Sequence, residues 1–131
     1  MKEIDLTEKT VKIPGPDHPI TIETASKRVV VRSGDKVIAD TVHALFLREA
    51  KYPAVQYIPR NDVDMSALVR SETTSYCPYK GEASYFSIPS GGGRSVDAVW
   101  SYEAPHDAVA EIKDYLAFYP DRVEGISESA I

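Results

Sequence analysis

This chain predicts a mainly-β single domain, on three observations. Short runs rich in Val, Ile, Thr and Tyr recur from Ile20 onward, Gly- and Pro-containing turns separate them, and only the segment after Pro105 has the makings of a helix. At 131 residues the chain is large enough to bury a core without disulfides, and one domain is the natural count.

The first nineteen residues read as an arm, because Pro14-Gly15-Pro16-Asp17-His18-Pro19 cannot hold a regular element. The domain proper runs over residues 20–124. Ile20 to Thr24 is a short strand, and Lys27 to Arg32 is a second, with three consecutive valines. Ser33-Gly34-Asp35-Lys36 is a hairpin turn that returns through Val37 to Thr41. Ala44 to Glu49 and Ala54 to Ile58 are further strands, the latter stopped by Pro59; Asn61 and Asp62 suit a turn or a single helical turn. Ala67 to Cys77 is extended, and Ala83 to Ile88 returns. Ser90 to Gly93 is the most flexible stretch, and Val96 to Tyr102 a long strand with Ala98, Trp100 and Tyr102 on one face. Asp107 suits the cap of a short helix from Ala108 to about Asp114, and Tyr115 to Tyr119 closes the domain. Residues 125–131 are expected as a tail that frays from Ser127.

The densest chemistry lies in Thr73-Thr74-Ser75-Tyr76-Cys77-Pro78-Tyr79-Lys80-Gly81-Glu82-Ala83-Ser84-Tyr85. Pro78 presets φ for a type I turn and Gly81 supplies a left-handed residue, so Pro78 to Gly81 is expected as a four-residue loop with Cys77 facing Glu82. Alternation would then put Ser75 and Cys77 on one face with Glu82, Ser84 and Phe86, and Thr74 and Tyr76 on the other with Ala83 and Tyr85.

That block resembles the bacterial family called domain of unknown function 427, also labelled nucleotidyltransferase family 9. Further motifs in the same order carry the resemblance: Gly34 through Asp40, Glu49 ahead of Tyr57-Ile58-Pro59-Arg60-Asn61-Asp62-Val63, Trp100 through Pro105, and Ala117-Phe118-Tyr119. It covers roughly residues 14 to 124, with Ser75 where threonine is expected. The resemblance implies a β-tent, similar in topology to the Mss-four-like and methionine sulfoxide reductase B families. Some relatives of that topology hold zinc on paired Cys-x-x-Cys knuckles; this chain has one cysteine, so no structural zinc is expected, and no other metal site or cofactor is assigned.

Catalytic candidates are Cys77 and Lys80. Lys80 would favour the thiolate and a facing Glu82 would oppose it, and Cys77 is equally a small residue packed at a strand end. A base for it would have to be His18, His43 or His106, of which His106 is best placed to approach the turn. Lys80 is either an exposed turn lysine or an anion contact with Arg48, Arg60 or Arg70. Ligand-binding candidates are Tyr57, Arg60, Asp62, Ser75, Tyr85, Trp100 and Tyr102. The aromatics either pack or stack on a flat ligand, Asp62 suits a turn, and Glu49 suits either the surface or a salt bridge, to Arg60 for example. The label's transferase chemistry wants carboxylates around Mg²⁺, for which only Asp62-Val63-Asp64 offers a pair, and Gly91-Gly92-Gly93-Arg94 is a weak phosphate loop.

Two functions lead: a small-ligand-binding domain with a cleft near the cysteine turn, and an enzyme acting through the Cys77 thiol. A protein-interaction module is the third. Net charge is −5, which disfavours nucleic acid as a partner, and no segment is apolar enough to span a membrane. The N-terminus lacks a signal-peptide run, and the lone cysteine suits a cytoplasmic setting. A homodimer is the assembly expected by default.

Overall fold

Ten short strands pair into three antiparallel sheets in the computed structural model, which describes residues 9–131. The first eight residues of the expected arm, and with them the N-terminus tested for a signal peptide, lie outside the described residues. The strands are β1 (Ile20–Thr24), β2 (Lys27–Ser33), β3 (Lys36–Thr41), β4 (Leu45–Glu49), β5 (Val55–Tyr57), β6 (Val69–Cys77), β7 (Gly81–Ser87), β8 (Val99–Ser101), β9 (Leu116–Phe118) and β10 (Gly125–Ala130). They assemble in the orders β1-β4-β5, β10-β2-β3 and β6-β7-β8-β9. No helix among the described residues is long and apolar enough to cross a membrane. The mainly-β expectation holds.

Ile58 and Leu116 exchange backbone hydrogen bonds of 2.8 and 2.9 Å and so join β5 to β9, bringing two of the sheets edge to edge. Because side chains alternate along a strand, this joined surface feeds two cores. Phe46, Ile58, Phe86, Val99, Leu116 and Phe118 face the β10-β2-β3 sheet and pack with Val29, Val31 and Ile38. Their sequence neighbours Leu47, Tyr57, Ala117 and the half-buried Tyr85 and Trp100 face the other way, around Tyr102, Val109 and Ile112. The second face carries the site.

Several expectations need correction. The tail does not fray: Gly125–Ala130 pairs with β2 over Gly125↔Arg32 to Ala130↔Lys27, because β2 leaves that edge open and half-buried Ile126 packs against the core. The long strand over Val96 to Tyr102 shrinks to β8, since Asp97 takes a left-handed φ of 52° that extended backbone does not allow. The expected short helix after Asp107 forms as 3₁₀ backbone over Asp107–Ile112, broken at Val109, and Asp107 makes no side-chain cap. The glycine run is likewise wound, in 3₁₀ turns over Pro89–Ser95.

The β6–β7 hairpin is shorter by one residue than the turn signals suggest. Cys77 pairs with Gly81 and Tyr76 with Glu82, leaving Pro78-Tyr79-Lys80 as the loop, closed by Lys80 N–H donating to the Cys77 carbonyl at 3.2 Å. Gly81 holds a φ of 112° at the start of β7, where an added Cβ would lie 3.4 Å from the Ala104 carbonyl oxygen. That close approach, locked by the His106 N–H on the Lys80 carbonyl at 3.0 Å, draws Gly81 out of the loop and into the ladder. A one-residue slip turns over the partner's faces. Ser75 and Cys77 therefore share a face with Ala83 and Tyr85, while Glu82 and Ser84 lie on the other side with Tyr76 and Thr74.

Candidate functional site

A cavity of about 180 Å³ opens on the second face of the joined sheets. Six aromatic side chains wall it: Tyr52, Tyr57, Tyr85, Trp100, Tyr102 and Tyr119. Leu47 and Val55 form its apolar floor, and Glu49 and Lys80 close one end. Strand alternation explains the assembly. Leu45, Leu47 and Glu49 lie on one side of β4, Trp100 and Tyr102 on one side of β8 and its continuation, and Tyr85 pairs directly with Trp100.

The charged end is a three-membered network. Lys80 Nζ donates to Glu49 Oε1, and His18 Nε2 meets Glu49 Oε2 at 2.7 Å. The side chains of Lys80 and Glu49 are only 11% and 15% exposed, so this is no solvent-facing turn lysine. Burial tends to raise the Glu49 carboxyl, but the hydrogen bonds from Lys80 and then His18 prevail and hold it below the usual carboxylate range. Lys80 Nζ also lies 6.0 Å from the Tyr102 ring centroid. His18 is fixed from the outside by stacking on Tyr79 at 4.0 Å between ring centroids. The arm crosses the hairpin just there, with Lys12 N–H on the Pro78 carbonyl at 2.9 Å.

The aromatic walls are tied by their polar tips. Trp100 Nε1–H donates to the Tyr57 hydroxyl at 3.2 Å, with the two rings edge-on. The Ser75 and Tyr85 hydroxyls bond at 2.8 Å, and Trp100 leans on Tyr119 at 4.5 Å between centroids. Burial raises the Tyr57 and Tyr102 hydroxyls far above the ordinary tyrosine value, and burial together with Tyr85 pushes Tyr119 up to about 12. At neutral pH Tyr57, Tyr102 and Tyr119 therefore present uncharged hydroxyls and ring faces, and the acidic and basic side chains of the lining are Glu49 and Lys80.

Of the residues that the sequence singled out, Tyr57, Lys80, Tyr85, Trp100 and Tyr102 line this cavity, and Ser75 supports it through Tyr85. Cys77 is half-buried and packs against the Leu47 and Tyr57 cluster rather than standing in the wall. His106 does approach the turn, but its ring meets the Tyr76 hydroxyl at 3.1 Å, on the hairpin face opposite Cys77. Arg60 and Asp62 are elsewhere. Arg60 donates to the Asp114 carbonyl and to Ser101 Oγ and sits 3.2 Å from Glu103, which also holds Arg70 at 2.8 Å. Asp62 accepts from Thr41 Oγ1 at 2.7 Å. Arg48 pairs with Glu23. The expected Glu49–Arg60 bridge is thus replaced by Glu49–Lys80, and no arginine joins Lys80. Gly91 is packed against Ser95, where an added Cβ would lie 2.0 Å from Ser95 Oγ, whereas Gly92 and Gly93 face open space, and the run lies outside this cavity. Among the described residues no three His, Cys, Asp or Glu side chains gather to hold a metal ion.

Sequence reasoning missed Tyr52, Tyr119 and the part played by Glu49 and His18. Glu49 had one signal, its place ahead of the Tyr57-Ile58-Pro59 element in the family resemblance; its partners stand 31 residues away on either side, beyond any local pattern.

The model of the family described as a domain of unknown function (DUF427), labelled NTP_transf_9, matches residues 21–129. The chain belongs to this family. No curated protein matches it. The match spans β1 to β10, and hence every strand that builds the cavity; in this DUF427 chain His18 and the rest of the arm precede the matched region.

Proposed function

We propose that this domain binds a small molecule in the aromatic cavity, oriented by Lys80 and Glu49. One observation carries the reading: an ion pair almost withdrawn from water sits inside a concave wall of aromatic rings. Ligand sites combine such apolar walls with a few convergent polar groups, and the rings give contact area at little entropic cost. A buried ion pair is a poor stabiliser compared with apolar packing, so its presence in a core that had apolar alternatives points to recognition. The cavity is smaller than the roughly 300–1,000 Å³ usual for drug-sized ligands, so the ligand is a compact one.

Cys77 chemistry has less support, because the thiol is packed behind the wall and faces away from His106. A nucleotide is what the family label favours, and the same experiment tests it. Trp100 is the sole tryptophan, so its indole N–H gives a single NMR signal from inside the cavity. The full chain is titrated with monosaccharides, amino acids, phenol and ATP with Mg²⁺, in parallel with Val55→Phe, whose ring occupies the floor. A compound that shifts the indole signal in the wild type and not in Val55→Phe supports the reading. An indole signal unmoved by every compound, or moved equally in both proteins, refutes it.

A further inference from the structure

We infer that the ligand of this cavity is a small zwitterion, with a carboxylate received by Lys80 and an ammonium received by Glu49. This rests on the binding reading above and names its ligand class.

The inference starts from unused bonding capacity at the charged end. An ammonium has three N–H donors, and among the described residues Lys80 spends one on Glu49 Oε1, with only the Tyr102 ring, 6.0 Å away, as its other cation contact. A carboxylate has about four acceptor positions, and Glu49 uses one for Lys80 and one for His18. Both groups are almost buried, so few water molecules complete them, yet both line the cavity. Each can accept a partner of opposite charge without releasing the other.

Charge decides among ligand classes. A purely anionic ligand that reaches Lys80 also meets the Glu49 carboxylate, and a purely cationic one that reaches Glu49 also meets the Lys80 ammonium. Each arrangement sets like charges together in a site screened poorly by water. A molecule with both charges on adjacent groups lies head-to-tail along the pair, so every nearest neighbour is of opposite sign. Its apolar remainder then rests on Tyr57, Trp100 and Tyr102, whose ring faces also favour an alkylated ammonium. Two sources share this chemistry, free α-amino acids with small apolar side chains and betaines.

The test uses the indole signal of Trp100 in the full chain, with L-valine, glycine betaine, isobutylamine and isovalerate as probes. Isobutylamine and isovalerate keep the branched carbon skeleton and remove one charge each. L-valine, betaine or both are expected to bind, and each single-charge probe to bind about tenfold to a hundredfold more weakly than valine where valine binds. Valine without betaine identifies free amino acids, because only they donate N–H to Glu49; betaine without valine identifies alkylated ammonium. Isobutylamine equal to valine makes this a cation site and overturns the inference; isovalerate equal to valine makes it an anion site and does the same. If phenol shifts the indole in wild type but not in Val55→Phe while neither zwitterion binds, the cavity stands and the zwitterion falls. If nothing shifts it, both readings fall. The probe series needs no substitution at the charged end, so it stands even if Lys80→Met does not fold; where that variant folds, it is expected to lose zwitterion binding.

Discussion

Replacing Lys80 by methionine removes the ammonium while keeping most of the apolar stem, and leaves Glu49 with His18 as its one side-chain partner among the described residues. The cost follows from burial. Glu49 and Lys80 are 15% and 11% exposed, so the pair is closer to a buried than to a surface ion pair. A hydrogen bond to a charged group contributes about 1.5–3 kcal/mol, and stranding one member of a buried pair costs about 3–5 kcal/mol. His18 retains part of the stabilisation, so Lys80→Met is expected to cost about 2–4 kcal/mol at pH 7, or on the order of 10 °C in Tm for a domain of this size. The pH dependence gives a sharper signature. In the wild type Glu49 is held below its unfolded value, so its contribution is present above pH 4.5 and is lost as pH falls through the lower folded value. Without Lys80 the burial, the largest single influence on this carboxyl, is opposed by His18 alone, and the folded value is expected to rise above the unfolded one. The sign then reverses: the carboxyl is accommodated when protonated, and the penalty shrinks as pH falls from 7 towards 5. Urea denaturation of both proteins at pH 7 and pH 5 measures this, with Lys80→Met/Glu49→Leu as the control. The apolar pair is expected to return to within about 1 kcal/mol of the wild type. A penalty below about 0.5 kcal/mol, or one equal at both pH values, would refute the stranded-charge argument.

Three further outcomes are expected. Gly81→Ala forces a side chain onto a φ of 112° beside the Ala104 carbonyl and should cost about 1–3 kcal/mol, read by urea denaturation; an unchanged midpoint would show that the hairpin relaxes freely. Glu103 is held down to about 2, first by its hydrogen bonds with Arg70, with Arg60 adding to them against the effect of burial. Its contribution is therefore present above 4.5 and lost as pH falls towards 2, and Glu103→Gln should flatten the stability profile over that window. Ending the chain at Glu124 removes β10 and bares one edge of β2, so lowered stability and self-association by light scattering are expected; a monomer of wild-type stability would mean that the last strand is dispensable.

Much of the fold was legible because its signals are local. The Ser33-Gly34-Asp35-Lys36 turn closes where its residue types demand, with Ser33 paired to Lys36, and the valine run of β2 supplies Val29 and Val31 to the core. Where a local signal competed with a distant contact, the contact won. The Pro78 to Gly81 turn chemistry asked for a four-residue loop, and the close approach of Ala104 to His106 took Gly81 into the ladder. The polar run Ser127-Glu128-Ser129 has no periodicity of its own, and it is a strand because β2 offers an unpaired edge.

The site divides along the same line. Residue types alone nominated Tyr57, Tyr85, Trp100 and Tyr102 as candidates, each in a strand-forming run or at its end, and the tertiary structure brought them to one cavity. The tertiary structure alone decided which face of the hairpin turns inward, and with it that Cys77 packs behind the wall while Lys80 reaches the cavity. It also decided that Lys80 meets Glu49 and His18 rather than an arginine. The physical reason is the reach of the forces. Side-chain alternation and turn preferences act over a few residues, whereas the pairing of Ile58 with Leu116 that brings the sheets together links positions far apart in the chain, and only chain closure can place charges there.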